Sequence, residues 1–301
     1  MKITNKNIDN IIQKIPVKIE GNFKGFTIIL FIGAGGNIEE WNNINLKKFY
    51  NNIKKDWCNS EKYKDKFEGI LNFQTELSKI TQTFSFTPIE FLLSNNYENK
   101  KENEPIEPNN YFFSLSQIEY TMKYLIELHK LKGPFFLIGF SEGGWRALYL
   151  QNKINCIGCL LIDPQRYNKN TPENIDTFEN GYKIMTKEIL NSNVLISKKS
   201  KDYIKTKEYD ILIKQLSYYK YKNMINKFKL EKFKCPIHVL LNLQEIGEED
   251  YTRRFLSDCE FVSNLTNNGA TFHIYFDEIH ALHLLYHKEI VKYIKTFLKE
   301  Y

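Results

Sequence analysis

Several features that would place this chain in other protein classes are missing from its sequence. None of its apolar runs approaches the roughly 18 residues that a membrane-spanning helix needs. Residues 1–16 are polar and lack the apolar segment of a secretory signal peptide. We therefore expect a cytoplasmic protein.

Cysteine is scarce, and its number is odd. Five cysteines among 301 residues form no disulfide framework, which favours a reducing compartment. Cys156 and Cys159 have Cys-x-x-Cys spacing, but they lie within an apolar run typical of a strand. Three positions apart on a regular strand, their side chains would point to opposite faces. We therefore predict free thiols with no metal or redox role.

Arginine is also rare, with four residues among the 42 basic ones. Because base recognition in nucleic acids relies heavily on arginine, this scarcity argues against a nucleic-acid partner. Much of the positive charge lies between Lys198 and Lys234, where twelve lysines accompany four acidic residues. A solvated lysine-rich surface explains this segment. The alternative is weak association with an anionic surface.

The chain does contain recurrent apolar runs of strand length, separated by segments of helical periodicity. Continuous apolar runs are typical of strands buried on both faces of a parallel sheet. The predicted strands are Phe26–Ile32, Pro88–Leu93, Phe135–Phe140, Ile154–Ile162, Ile237–Leu241 and Thr271–Phe276. Apolar residues at helical spacing predict helices around Met122, Leu148 and Ile294. This alternation predicts an α/β fold.

One segment, Gln165–Lys234, interrupts the alternation between two predicted strands. It is too long for a structureless loop inside a compact domain. We predict a helical cap over the carboxyl edge of the sheet, where such folds bind ligands. The core then comprises residues 1–164 and 235–301, with residues 165–234 inserted between the strand ending near Ile162 and the strand starting near Ile237.

A Gly-x-Ser-x-Gly motif, Gly139-Phe140-Ser141-Glu142-Gly143, ends one of the predicted strands. A nucleophile elbow has this context, because a strand leads into a strained turn that carries the serine and a helix follows. The two glycines allow the backbone to pass close to the serine. The motif indicates that Ser141 attacks a carbonyl carbon.

A glycine-rich segment, Gly33-Ala34-Gly35-Gly36, directly follows the first predicted strand. Acyl transfer needs backbone N–H groups directed at the developing oxyanion. In the elbow arrangement they come from the residue after the serine and from a loop after an earlier strand. These donors would be the amides of Ala34 and Glu142. A tight strand-to-helix turn is the alternative.

His280 is the candidate general base. It follows the predicted strand Thr271–Phe276 and precedes the last predicted helix. A serine hydroxyl needs a neighbouring base, and imidazole has a suitable pKa. His283 and His287 repeat at helical spacing, but no zincin glutamate accompanies them. We therefore predict surface or packing histidines and no metal site.

The carboxylate that would orient His280 has more than one candidate. Glu245 follows the predicted strand Ile237–Leu241, and Asp163 follows the predicted strand Ile154–Ile162. Both positions lie at the carboxyl end of a strand. We favour Glu245, which fits the chain order of such triads, and keep Asp163 as the alternative acid. A longer loop would bring in Glu248, Glu249 or Asp250.

These motifs together resemble the α/β-hydrolase superfamily, from about Phe26 to Tyr301. Ser141 occupies the family's nucleophile position, and Ile32-Gly33-Ala34-Gly35-Gly36 resembles its His-Gly-x-Gly-Gly loop, with Ile32 in place of the histidine. The segment around His280 resembles that of the catalytic histidine, with Ile279 in place of a frequent glycine. The resemblance implies a mostly parallel eight-stranded sheet, a Ser–acid–His triad and no cofactor.

The function that the motifs predict is hydrolysis of a carboxylic ester or thioester in a small-molecule acyl substrate. It would proceed through the Ser141–His280–acid triad and an acyl-enzyme. Transfer of the acyl group to an alcohol or amine uses the same residues. A non-catalytic ligand-binding protein is the alternative from another class, because a fold does not fix a function.

Overall fold

The fold is seen in a computed structural model, which describes residues 9–10, 12–33, 38–53, 61–87, 115–164, 232–243, 259, 261–276 and 282–298. Nine strands are described. They are β1 (Val17–Glu20), β2 (Thr27–Phe31), β3 (Asn42–Asn45), β4 (Ile70–Asn72), β5 (Gln82–Phe86), β6 (Phe135–Phe140), β7 (Cys156–Ile162), β8 (Ile237–Asn242) and β9 (Thr271–Tyr275).

Seven of these strands form the central sheet in the order β1-β5-β2-β6-β7-β8-β9, and β3 pairs with β4 separately. Strand β1 runs antiparallel to β5, and the other neighbours in the central sheet are parallel. The middle strands are continuous apolar runs, and every residue of β2 and β6 is buried. Burial on both faces explains why these strands lack polar alternation. The predicted mostly parallel sheet is confirmed.

Helices cover both faces of the sheet. They include α1 (Leu46–Ile53), α2 (Phe73–Ser78), α3 (Leu115–Leu128), α4 (Glu142–Leu150), α5 (Leu282–Leu285) and α6 (His287–Phe297). Helices α3 and α4 pack on one face through residues such as Met122 and Leu148. Helices α1, α2, α5 and α6 pack on the other through residues such as Leu77 and Ile294. The result is a three-layer α/β arrangement with a core on each side of the sheet.

Strand β5 was not among the predicted strands, because the residues on one of its two buried faces are polar. Thr83 and Ser85 are fully buried against the side chain of Gln74 in α2. The Gln74 amide donates to Thr83 Oγ1 (3.3 Å) and to the Lys18 carbonyl of β1 (3.1 Å). Ser85 Oγ donates to Gln74 Oε1 (2.8 Å). Hydrogen bonds thus replace the apolar contacts that a sequence pattern detects.

The prediction that Cys156 and Cys159 point to opposite faces is wrong, because β7 contains a bulge. Phe135 pairs with Cys156, whereas the next residue, Phe136, pairs with Gly158. The extra residue shifts the alternation of side chains by one position. As a result, the Sγ atoms of Cys156 and Cys159 lie 3.7 Å apart on the same face.

Two predictions about the fold fall largely outside the described residues. The strand predicted at 88–93 lies entirely outside them, and so does the predicted cap except for its last residues, 232–234. The cap therefore stays a prediction. Among the helices of the described ranges, none is both long enough and apolar enough to cross a bilayer.

Candidate active site

Ser141 lies at the sharp turn between β6 and α4. Its backbone has φ 52° and ψ −119°, a conformation that is energetically unfavourable for any residue other than glycine. The surrounding hydrogen bonds hold this conformation: Ser141 N–H donates to the Ile162 carbonyl (3.0 Å), and Gly144 N–H donates to the Ser141 carbonyl (3.0 Å). The turn therefore has the strained backbone expected of a nucleophile elbow.

The two glycines of the motif are required because other segments of the backbone approach them closely. A Cβ atom on Gly139 would lie 2.6 Å from Gly144 Cα, and one on Gly143 would lie 2.6 Å from the Ile32 carbonyl oxygen. Real Cβ contacts are not this short, and backbone atoms cannot rotate away. The start of α4 is thus packed directly against the end of β2.

The glycine-rich loop after β2 begins beside the serine. Gly33 is buried, and a Cβ atom added there would lie 3.1 Å from Ser141 Cβ. Strands β5 and β6 flank β2 on opposite sides, so the chain order reverses there. Open α/β sheets bind ligands at such a reversal, at the carboxyl ends of the strands. Ala34, the predicted oxyanion donor in this loop, lies outside the described residues.

Glu142, the other predicted oxyanion donor, is the first residue of α4. Its N–H lies at the positive end of the α4 dipole, where an anionic ligand is stabilised. The Glu142 side chain points inward and is 1% exposed. Its Oε1 accepts from Arg146 Nη2 at 2.8 Å within the buried part of the protein. This ion pair was not among the predicted features, although its signal is present in the sequence, because Glu and Arg four residues apart share a helix face.

Asp163, the alternative acid, ends β7 at the same edge of the sheet as Ser141. It is 1% exposed and has φ 39°. Its Oδ1 accepts from Asn242 N–H (3.0 Å), and its own N–H donates to the Leu240 carbonyl (2.7 Å). These bonds tie the ends of β7 and β8 together. A structural role thus accounts for one carboxylate oxygen.

The other two predicted triad residues, Glu245 and His280, lie outside the described residues. The strands that precede them are neighbours, since Asn242 at the end of β8 pairs with Tyr275 at the end of β9. Leu243 N–H continues this pairing by donating to the Tyr275 carbonyl (2.8 Å). Both residues therefore follow strand ends at the edge that carries Ser141.

His283 shows where the segment after His280 packs. This histidine of α5 is buried, and its ring lies 4.4 Å from the Phe140 ring and 5.2 Å from the Trp41 ring. Phe140 directly precedes the candidate nucleophile. The chain segment that follows His280 is thus in contact with the elbow. His283 is a packing histidine, which is one of the two roles predicted for it.

Comparisons with known proteins give structural likenesses only. Neither the protein-family models nor the curated proteins include a match to this sequence. Among solved structures, Est816, described as an N-acyl homoserine lactone degrading enzyme, has a TM-score of 0.52 at 14% identity and covers 98% of this chain and 99% of its own. MenH from S. aureus has a TM-score of 0.50 at 13% identity, covering 94% of this chain and 98% of its own.

A third solved structure is that of an AqdC variant in complex with its substrate, described in terms of recognition and ring cleavage of the Pseudomonas quinolone signal. Its TM-score is 0.55 at 11% identity, and it covers 95% of this chain and 96% of its own. At these identities the likeness is one of fold. Together with the parallel sheet and the elbow at Ser141, it shows that the chain has the α/β-hydrolase fold.

Proposed function

We propose that the protein is a serine hydrolase that cleaves a carboxylic ester or thioester. The observation that carries this proposal is the strained backbone of Ser141 at the end of β6. A protein keeps such strain when the surrounding structure over-determines it, and strained residues cluster at active sites. The solved structures of similar fold include a marine esterase and carboxylesterases, which supports the same class of reaction.

In the proposed mechanism, His280 removes the proton of Ser141 Oγ as the oxygen attacks the carbonyl carbon. The negative charge that develops on the substrate oxygen is stabilised by the amides of Ala34 and Glu142. His280 then gives its proton to the leaving group. In the second half, His280 activates a water molecule, which attacks the acyl-enzyme and releases the acid.

The buried Glu142–Arg146 pair supports this mechanism electrostatically. A carboxylate at the first residue of α4 would repel an oxyanion bound at the same helix end. Arg146 lies 2.8 Å from that carboxylate and offsets its charge. The positive end of the α4 dipole then stabilises the oxyanion.

For the acid we propose Glu245, with Asp163 as the alternative. Glu245 follows β8, which is adjacent to the strand before His280, whereas β7 and its Asp163 are one strand further away. Asp163 Oδ1 already accepts a hydrogen bond from the backbone of Asn242. The matched variants Glu245→Gln and Asp163→Asn keep a carbonyl acceptor and remove the charge. The triad acid is the one whose change lowers kcat by about 10⁴-fold.

The test is labelling by a fluorophosphonate probe, which reacts with activated serines. We expect the wild-type protein to be labelled, and Ser141→Ala and His280→Ala to lose labelling. Ser78→Ala and His287→Ala are the matched controls and keep it. Equal labelling of wild type and Ser141→Ala would contradict the proposal, and folded wild type that resists labelling would favour the ligand-binding alternative. Acid as the sole product in the presence of an added alcohol would distinguish hydrolysis from acyl transfer.

A further inference from the structure

Three cysteines meet at the edge of the sheet opposite to Ser141. Cys156 begins β7, Cys159 lies within it, and Cys235 precedes β8. The Sγ atoms of Cys156 and Cys159 are 3.7 Å apart, and those of Cys156 and Cys235 are 3.5 Å apart. All three sulfur atoms lie within 4.8 Å of one another. In the part of the chain that the structure describes, no other trio of histidine, cysteine or acidic side chains comes this close.

The cluster depends on an irregular backbone. The β7 bulge turns Ile157 and Gly158 towards one face and leaves Cys156 and Cys159 on the other. A Cβ atom added to Gly158 would lie 2.8 Å from the Phe297 ring, so this position tolerates no side chain. Cys235 is fixed from the neighbouring strand, because Cys159 N–H donates to the Pro236 carbonyl (2.9 Å). The three thiols are therefore held in place by β-sheet pairing.

The cluster is largely shielded from solvent. Cys159 and Cys235 are 2% and 8% exposed, and Cys156 is half-buried. A cation at the centre of three thiols favours the loss of their protons, because the thiolate is the form of cysteine that binds metals.

The spacing fits the ligand geometry of a tetrahedral metal. Zinc–sulfur bonds of about 2.3 Å at tetrahedral angles place two sulfur atoms about 3.8 Å apart. The measured separations of 3.5 and 3.7 Å agree with this value. Gln151 Oε1 lies 3.8 Å from Cys235 Sγ and supplies an oxygen atom beside the cluster. Soft sulfur ligands select zinc over magnesium or calcium.

We propose that Cys156, Cys159 and Cys235 form a binding site for Zn²⁺, with a water molecule or the Gln151 amide oxygen as the fourth ligand. Binding releases the thiol protons to solvent and involves no redox step. This proposal replaces the expectation of inert free thiols. It is independent of the proposed hydrolase activity.

The position of the site indicates a structural role. The six residue steps of β7 from Cys156 to Ile162 place the metal about 20 Å from the edge that carries Ser141. Cys156 and Cys235 are 79 positions apart, and the predicted cap segment lies between them. A metal that joins them closes this long loop and stabilises the folded chain by restricting the unfolded one.

The test uses the full-length protein, reduced and stripped of metal, and titrates it with Co²⁺ under anaerobic conditions. We expect thiolate-to-cobalt charge-transfer absorption that saturates at one equivalent and is displaced by Zn²⁺. Zinc should also raise Tm and protect three of the five cysteines from a thiol reagent. Cys235→Ser and the half-buried Cys156→Ser should each lose the absorption, the Tm shift and the protection.

The matched control is Cys259→Ser, which removes an exposed cysteine outside the cluster and should bind cobalt as wild type does. Circular dichroism establishes that each variant is folded. Absence of charge-transfer absorption in reduced wild type would overturn the proposal. So would cobalt binding that survives in folded Cys235→Ser and Cys156→Ser protein, or zinc that binds without raising Tm or protecting the thiols.

Discussion

The irregular backbone differs in kind between the carboxyl ends of the strands, here the carboxyl edge of the central sheet, and their amino ends, here the amino edge. At the carboxyl edge, Ser141 and Asp163 have positive φ values, and glycine neighbours allow the chain segments to touch. At the amino edge, β7 accommodates an extra residue by a bulge, and its described residues need no positive φ. Backbone strain therefore accompanies the presentation of the Ser141 hydroxyl. A change of register is sufficient where three side chains must meet.

The sharpest contrast between the edges should appear in catalysis. If the proposed function is right, Ser141→Ala lowers kcat/KM for an activated ester by about 10⁴-fold or more, because the covalent route is lost. Cys235→Ala, at the opposite edge, should leave kcat/KM unchanged in folded protein. Steady-state kinetics measure both variants. A large loss in Cys235→Ala with its fold intact would show that the edges are not independent.

Stability should respond strongly at the carboxyl edge. Arg146→Met leaves the Glu142 carboxylate buried without its ion pair, and we expect a loss of about 3–5 kcal/mol in the free energy of unfolding. The double variant Glu142→Gln/Arg146→Met removes the charge as well and should recover most of this loss. Urea denaturation measures both. A loss below about 1 kcal/mol in the single variant would mean that solvent reaches the pair.

A smaller loss is expected from crowding the elbow. In Gly143→Ala, the new Cβ atom would overlap the backbone at the end of β2, and we expect a loss of about 3 kcal/mol. Gly69→Ala is the control, because Gly69 has φ +83° and nothing within 4 Å of an added Cβ. Its free energy of unfolding should fall by only about 1 kcal/mol, which is the cost of a non-glycine residue at positive φ. Equal losses in urea titrations would remove close packing as the reason for Gly143.

The smallest effect should come from a histidine at the amino edge. Burial and the nearby His273 lower the pKa of His238 to about 4. Between about pH 6.5 and 4 the unfolded chain binds a proton that the folded chain does not, so stability falls as pH falls through this window. The loss should stay below about 2 kcal/mol because solvent screens a half-buried ring.

His238→Gln tests this dependence. Its free energy of unfolding should vary less between pH 6.5 and 4 than that of wild type, with the difference measured by urea titration at each pH. His287→Gln is the control on a different element and should keep the wild-type slope. An identical slope in His238→Gln would contradict the assignment.

The carboxyl edge was predictable because its chemistry is local in sequence. Strand, serine and helix are contiguous, and β6 has the predicted bounds, Phe135–Phe140. The end of β7 at Ile162 and the end of β8 at Asn242 were also predicted to within one residue. The preference for Glu245 over Asp163 rests on triad order alone, because the loop after β8 has no periodic pattern from which its fold could be predicted.

The amino edge was not predictable for a physical reason. Regular alternation places Cys156 and Cys159 on opposite faces, and only pairing with β6 reveals the extra residue. Cys235 joins them from a position 79 residues away. The buried Thr83 and Ser85 of β5 escaped detection in the same way, because their partner Gln74 lies in a separate element. Sequence patterns report side-chain polarity but not the partner that satisfies it.

The Gln74 side chain has a consequence for how reliably β1 and β5 pair in the correct register. A slip of β5 by one residue would turn Phe84 towards Gln74 and move Thr83 and Ser85 to the opposite core. The buried amide would then lose two hydrogen bonds at once, and an unsatisfied polar group costs about 1–3 kcal/mol. Since the same amide also holds the Lys18 carbonyl of β1, misregistered pairing is penalised on both strands. One buried glutamine thus selects the native register of two strands as the sheet assembles.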